Sequence, residues 1–227
     1  MSNISAIRQI CQSELRELDG DLYMSHIFVP FKYRDALLAF SHFYCSLLQI
    51  YSESNDTMMQ LIRLQWWLDL KIDSPDVPPI ISLWREAGLD EELKNKLVSA
   101  HIDEIDEPTK EGLYKLGQIF FEEAAHIVTP RLVTQETLTV LGRLGFQWEY
   151  WRRNGRNMTF DKVSEHRQDL ALTLEAFNCL PQDQRKEMRP FAVLMALNSQ
   201  HITAWPLERH LFIYLLTALK TAFFVKI

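Results

Sequence analysis

Apolar residues recur at helical spacing along almost the whole chain, and no stretch alternates with the period of two that a half-buried strand requires. The pattern predicts a first helix over about residues 4–18, stopping at Asp19-Gly20, and a short segment over 22–29 that ends before Pro30. A long helix is predicted over 33–51. Its apolar positions (Ala36, Leu37, Ala39, Phe40, Phe43, Tyr44, Leu47, Leu48 and Ile50) surround it, so it should be central. The next helix, over 56–72, carries Met59, Ile62, Leu64, Trp66, Trp67 and Leu70. Pro75, Pro78 and Pro79 make 74–79 a linker. Shorter helices are expected over 80–87 and 90–102, with a connection over 103–108. Helices over 109–128 and 134–153 follow, the second closed by an Asn154-Gly155 C-cap signal. Three more are expected over 161–177, 182–199 and 206–224, with Pro206 suited to a first helical turn. No repeat or shift in composition divides the chain, so the expectation is one all-α, single-domain helical bundle over 1–227.

Composition narrows the function classes. Of 227 residues, 47% are apolar and 24% charged, enough to bury a large core. Only 7 glycines leave little room for hairpin turns or phosphate-cradling loops. A net charge of −6 argues against nucleic-acid binding, which rests on Lys and Arg neutralising phosphates. Cys11, Cys45 and Cys179 are odd in number and far apart, the usage of a reducing compartment, and each is expected to be a small buried hydrophobe. Glu14, Glu17, Asp19 and Asp21 precede any apolar run long enough for a secretory signal, and the same acids disfavour a transit peptide. The expected setting is the bacterial cytoplasm or a matrix-like compartment. The apolar stretch 211–225 contains Lys220 and falls short of the ~20 residues that span a bilayer. It reads as a buried terminal helix, with a membrane-surface helix as the other reading.

Candidate chemistry is sparse. Nucleotide-binding glycine motifs and the Gly-x-Ser-x-Gly elbow are absent. Glu123 and His126 form one Glu-x-x-His, but a di-iron bundle needs a second copy and further carboxylates. Asp103, Glu104, Asp106 and Glu107 are the densest acidic cluster; their place before Pro108 favours a solvated connection over a Mg²⁺ site. Trp148, Tyr150, Trp151, Arg152, Arg153 and Arg156 make a basic, aromatic helix end. They either complement the helix dipole or meet an anionic partner.

The run from Phe28 to Phe40, FVPFKYRDALLAF, followed by Arg63-Leu64-Gln65-Trp66-Trp67, resembles the squalene/phytoene synthase family. The resemblance extends over about residues 15–225 and is diffuse toward the C-terminus. It implies the all-helical isoprenoid-synthase fold, a bundle around a deep cavity. Active members hold Mg²⁺ between two aspartate clusters, so that the metal neutralises a prenyl diphosphate and helps it leave.

In this chain both clusters are substituted. Leu48, Gln49 and Ser52 stand at the first set of expected aspartates, and Arg153 stands at the second, with Glu149 nearby. Leucine cannot coordinate Mg²⁺ and arginine repels it. The pattern resembles the non-catalytic branch of the family, which includes a mitochondrial respiratory complex I assembly factor and its bacterial relatives. That resemblance implies a pseudoenzyme without a cofactor. Its implied partner is a complex I subunit or assembly intermediate, with Arg34, Arg63, Trp66, Trp67 and Arg152 as signature or interface residues. Trp66 and Trp67 are expected to pack the core and Arg63 to meet a carboxylate. Two other readings stay open. One is a Mg²⁺-dependent prenyltransferase using Glu53, Asp56 and Glu149; the other is a cavity that holds an isoprenoid or lipid without reacting it, with peripheral membrane contact.

Overall fold

The computed structural model describes residues 4–106, 109–128, 134–154 and 160–182, together with Arg185, Phe191, Val193 and Leu194. Most of the helix predicted over 182–199, all of that over 206–224, the apolar stretch 211–225, Gly155 and Arg156 lie outside them, as do the side chains of Trp151 and Arg153. Among the described residues the protein is all-helical, with no strand: α1 (Ile4–Leu18), α2 (Gly20–His26), a 3₁₀ turn (Phe31–Tyr33), α3 (Arg34–Glu53), α4 (Thr57–Asp69), α5 (Pro79–Glu86), α6 (Glu91–Asp106), α7 (Lys110–Val128), α8 (Gln135–Asn154) and α9 (Phe160–Cys179). The helices group into two compact units, Met1–Tyr23 with Pro30–Gly112, and Met24–Val29 with Leu113–Ile227.

The first unit is organised around α3. Twelve of its 20 residues are buried, as an all-round apolar helix requires. Helices α1, α4, α5 and α6 pack against it. Phe43 meets Trp67 of α4 and Trp84 of α5 edge to face, at centroid distances of 5.1 and 5.2 Å. Tyr44 lies 5.3 Å from the ring of His101 on α6. At the start of α3, Arg8 of α1 grips Asp35 in a bidentate ion pair, with Nε donating to Oδ1 at 2.7 Å.

Local chemistry sets the helix ends. Asp56 caps α4, its Oδ1 accepting the Met58 N–H at 2.9 Å. Asp90 Oδ1 does the same for Leu93 in α6, at 2.7 Å. Pro79 opens α5 from the first turn. Gly88, at φ 74°, turns the chain after α5 through the left-handed region, and the Leu89 N–H then reaches back to Trp84 O. The far end of α4 is closed from outside the helix. Lys94 of α6 is fully buried, and its ammonium donates to the carbonyls of Trp67 at 2.8 Å and of Leu70. These carbonyls carry the negative end of the helix dipole, so a cation there satisfies both charge and geometry. Burial, with the nearby Lys71 ammonium, pushes the Lys94 pKa down against the pull of Glu91 and Asp69.

Within the second unit, α7 and α8 cross at Gly117 and Gly145. A Cβ on Gly145 would sit 2.0 Å from Gly117 O, and one on Gly117 would sit 2.2 Å from the Gly145 carbonyl carbon. Trp148 stacks on Phe120 at 5.1 Å and meets Phe121 edge to face at 5.7 Å. Helix α9 packs on α8.

Three expectations need correction. Residues 103–106 continue α6 to Asp106 and are no solvated connection, and Glu104 is buried within it; Glu107 and Pro108 lie outside the described residues. Cys179 is exposed at the end of α9, whereas Cys11 and Cys45 are buried as expected. Trp66, expected in the core, faces outward from α4 beside Met59 and Ile62, and only Leu64 of that helix is buried.

Two stability predictions follow from this packing. Lys94→Met should cost about 3 kcal/mol, because it strands buried carbonyls that a charged donor had satisfied. Gly145→Ala should cost about 2–3 kcal/mol by forcing two backbones apart. Urea unfolding of each variant checks both, and unchanged midpoints would contradict them.

Candidate functional site

The first unit contains a cleft of about 730 Å³. Glu14, Glu17 and Leu18 of α1 form one wall, and His42, Ser46, Gln49, Ile50 and Glu53 of α3 form its base. Arg63, Trp66 and Trp67 of α4 stand opposite, with Pro78, Pro79 and Ile80 at the mouth of α5. The cleft exists because α1 and α4 cover different flanks of the same buried helix.

Its base carries the most unusual group in the unit. His42 is buried, with 5% of its side chain exposed, in the middle of an apolar helix. Its Nε2 lies 3.1 Å from Glu14 Oε2, whose side chain is half exposed. Burial outweighs this solvent-screened carboxylate and pushes the imidazole pKa down to about 4. At neutral pH the contact is therefore one between a neutral ring and a carboxylate, not an ion pair. Nδ1 is buried and without a hydrogen-bond partner among the described residues. Desolvation, with Glu17 one turn further along, pushes the Glu14 pKa up.

Two indoles line the opposite wall. Trp66 and Trp67 meet edge to face at 4.7 Å, with an interplanar angle of 70°. Trp67 is half-buried against Phe43, whereas Trp66 is 50% exposed. This corrects the expectation that both pack the core. Consecutive helical residues point about 100° apart, and only Trp67 faces α3. Arg63 meets a carboxylate as expected, forming an ion pair with Glu53 that is roughly half exposed on both sides.

The outer face of α4 carries a second feature. Met58, Met59, Ile62 and Trp66 are 64%, 44%, 54% and 50% exposed and share one helical face. Asp56 lies at one end of this stripe and Asp69 at the other, both exposed.

The remaining sequence-selected residues fall as follows. Leu48 is buried, Gln49 is exposed and lines the cleft, and exposed Ser52 donates back to Gln49 O at 2.8 Å. None of the three offers a carboxylate oxygen to a divalent cation. Glu53 is engaged by Arg63, and Asp56 caps α4. Arg34 is exposed at the start of α3, 6.0 Å from the Phe31 ring. In the second unit Arg152 is exposed and lies over Trp148 at 5.4 Å, while Glu149 is buried. Glu123 is half-buried and His126 exposed on α7.

Sequence reasoning missed His42, Glu14, Glu17 and Lys94. A polar His42 inside an apolar run was the one available signal; the others look like ordinary residues on amphipathic faces. Among the described residues no helix is long and apolar enough to cross a membrane. Comparison of the chain with protein-family models finds no match, and comparison with curated proteins finds none either.

The buried imidazole makes a pH dependence. Its folded pKa, about 4, lies below the ordinary value of 6.5. On acidification the unfolded chain takes up the proton first, so stability is full above about pH 6.5 and falls toward pH 4. The expected slope is about 1.4 kcal/mol per pH unit for one histidine. Denaturation series on wild type and His42→Gln should show a shallower slope in the variant across that window, and parallel slopes would refute this account.

Proposed function

We propose that this chain is a non-catalytic protein of the squalene/phytoene synthase type that acts by docking a protein partner in the assembly of respiratory complex I. The observation that carries the reading is the apolar stripe on α4. A helix with four large apolar side chains facing outward leaves an apolar surface that a partner would remove from water. Trp66 belongs to that stripe and to the Arg-Leu-Gln-Trp-Trp block on which the resemblance rests.

The partner that fits is a segment with apolar anchors at helical spacing and basic flanks. Asp56 and Asp69 bracket the stripe, Arg63 and Lys71 are already paired with Glu53 and Glu91, and the chain carries a net charge of −6. The same charge disfavours an anionic membrane surface as the occupant. The pseudoenzyme part of the reading is supported by Leu48, Gln49 and Ser52. Metal-assisted loss of diphosphate needs carboxylates at those positions, and a leucine, an amide and a hydroxyl turned onto its own helix do not supply them.

The test is genetic and biochemical. Deleting the gene in its own host should lower assembled complex I and leave isoprenoid products unchanged. Restoring the gene with Ile62→Asp, a substitution at an exposed position, should fail to rescue assembly while the protein stays folded. Normal complex I in the deletion strain would overturn the reading, as would Mg²⁺-dependent turnover of farnesyl diphosphate by the purified chain.

A further inference from the structure

We propose that the chain pairs weakly with a second copy of itself, the Phe31 segment of one copy seating on the apolar stripe of α4 in the other. Phe31 is 86% exposed, more than any other large apolar side chain among the described residues. A phenyl ring this open to water is an unused apolar anchor. Exposed Pro30 and Lys32 flank it, and the guanidinium of exposed Arg34 lies 6.0 Å from the ring. Lys32 and Arg34 thus place two cations beside Phe31, and the adjoining carboxylate, Asp35, is already held by Arg8.

The stripe of Met58, Met59, Ile62 and Trp66 is the complement. It extends roughly 12 Å along α4 at the rise of a helix, and the carboxylates of Asp56 and Asp69 lie beyond its two ends. An apolar anchor with cationic neighbours therefore matches an apolar seat with anionic ends. The two cannot meet within one copy, although both belong to the first unit. Trp67, the neighbour of Trp66, packs on Phe43, and roughly 18 Å of helix separates Phe43 from Phe31. Met58 lies farther still, because α4 starts just after the opposite end of α3.

A two-fold pair makes the contact twice and closes, so no open chain of copies grows. From the exposures of these five side chains, one contact withdraws on the order of 600 Å² and the pair about 1,200 Å². That is the lower edge of specific interfaces, so pairing should be reversible and micromolar. It also bears on the stripe's other role. A paired chain keeps the stripe covered until a partner displaces Phe31; this regulatory half rests on the docking reading, whereas pairing itself is measured without any partner.

Sedimentation velocity of the full chain from low to high micromolar concentration tests the proposal. The wild-type chain should pass from monomer to dimer, and raising salt from about 0.05 to 0.5 M should raise the Kd about threefold. Phe31→Ser and Ile62→Asp, both at exposed positions, should each raise the Kd about tenfold or more. Photo-cross-linking from p-benzoylphenylalanine placed at position 31 should give a covalent dimer whose linked peptide falls within α4 of the second copy. A wild-type chain that stays monomeric overturns the proposal, as does unchanged pairing in either variant or a cross-link outside α4. A monomer that instead sediments through Phe31 with phosphatidylglycerol vesicles also overturns it, and gives the segment to a membrane. None of these readouts involves complex I, so pairing can fail while partner docking stands, and the reverse.

Discussion

Burial of α3 on nearly every side is the constraint from which the first unit follows. A helix with Leu37, Phe40, Phe43, Tyr44, Leu47 and Ile50 distributed around its circumference cannot lie on a surface without exposing apolar area in every orientation. It has to be enclosed, and α1, α4, α5 and α6 enclose it. Each large side chain withdrawn from water contributes about 1.5–3 kcal/mol, so the arrangement is driven by area more than by any one bond. The polar contacts then select among the ways of enclosing it. Arg8 with Asp35 ties α1 to the start of α3, and Lys94 fastens the end of α4 to α6.

The Lys94 ammonium holds the carbonyls of Trp67 and Leu70 at the last turn of α4. In the same helix Trp67 faces inward onto Phe43, and its neighbour Trp66 faces out with Met58, Met59 and Ile62. One helix thus serves three purposes. It covers α3 with Leu64 and Trp67, walls the cleft with Arg63 and both indoles, and presents an apolar stripe outside.

The two candidate surfaces have different chemistry. The stripe is apolar with acidic ends and lies open along one helix face, the form of a macromolecular contact. The cleft is concave, with carboxylates on one wall, indoles on the other and His42 at its base. His42 is neutral because desolvation outweighs a carboxylate that water screens.

Much of the architecture was legible in the linear pattern. Apolar spacing located eight of the nine helices among the described residues to within a few positions, Gly20–His26 being read only as part of a short segment, and Pro79 and Gly88 bound α5 for purely local reasons. The all-round apolar character of α3 announced its central place. Local pattern failed where the outcome depended on a neighbour. Asp103–Asp106 read as a loop because they are acidic and precede a proline, yet the helix runs through them and buries Glu104. Trp66 and Trp67 read alike because hydrophobicity assigns both to a core, while a rotation of about 100° per residue permits only one to reach it. Gly117 and Gly145 are ordinary in sequence, and only the crossing of α7 and α8 makes the absence of a side chain necessary. What the sequence by itself determined is which segments are helical and which faces are apolar, because those depend on residues within a turn of one another. Which apolar face stays in water, and which buried imidazole lacks a partner, was decided by tertiary structure, because both depend on what residues distant in the chain leave uncovered.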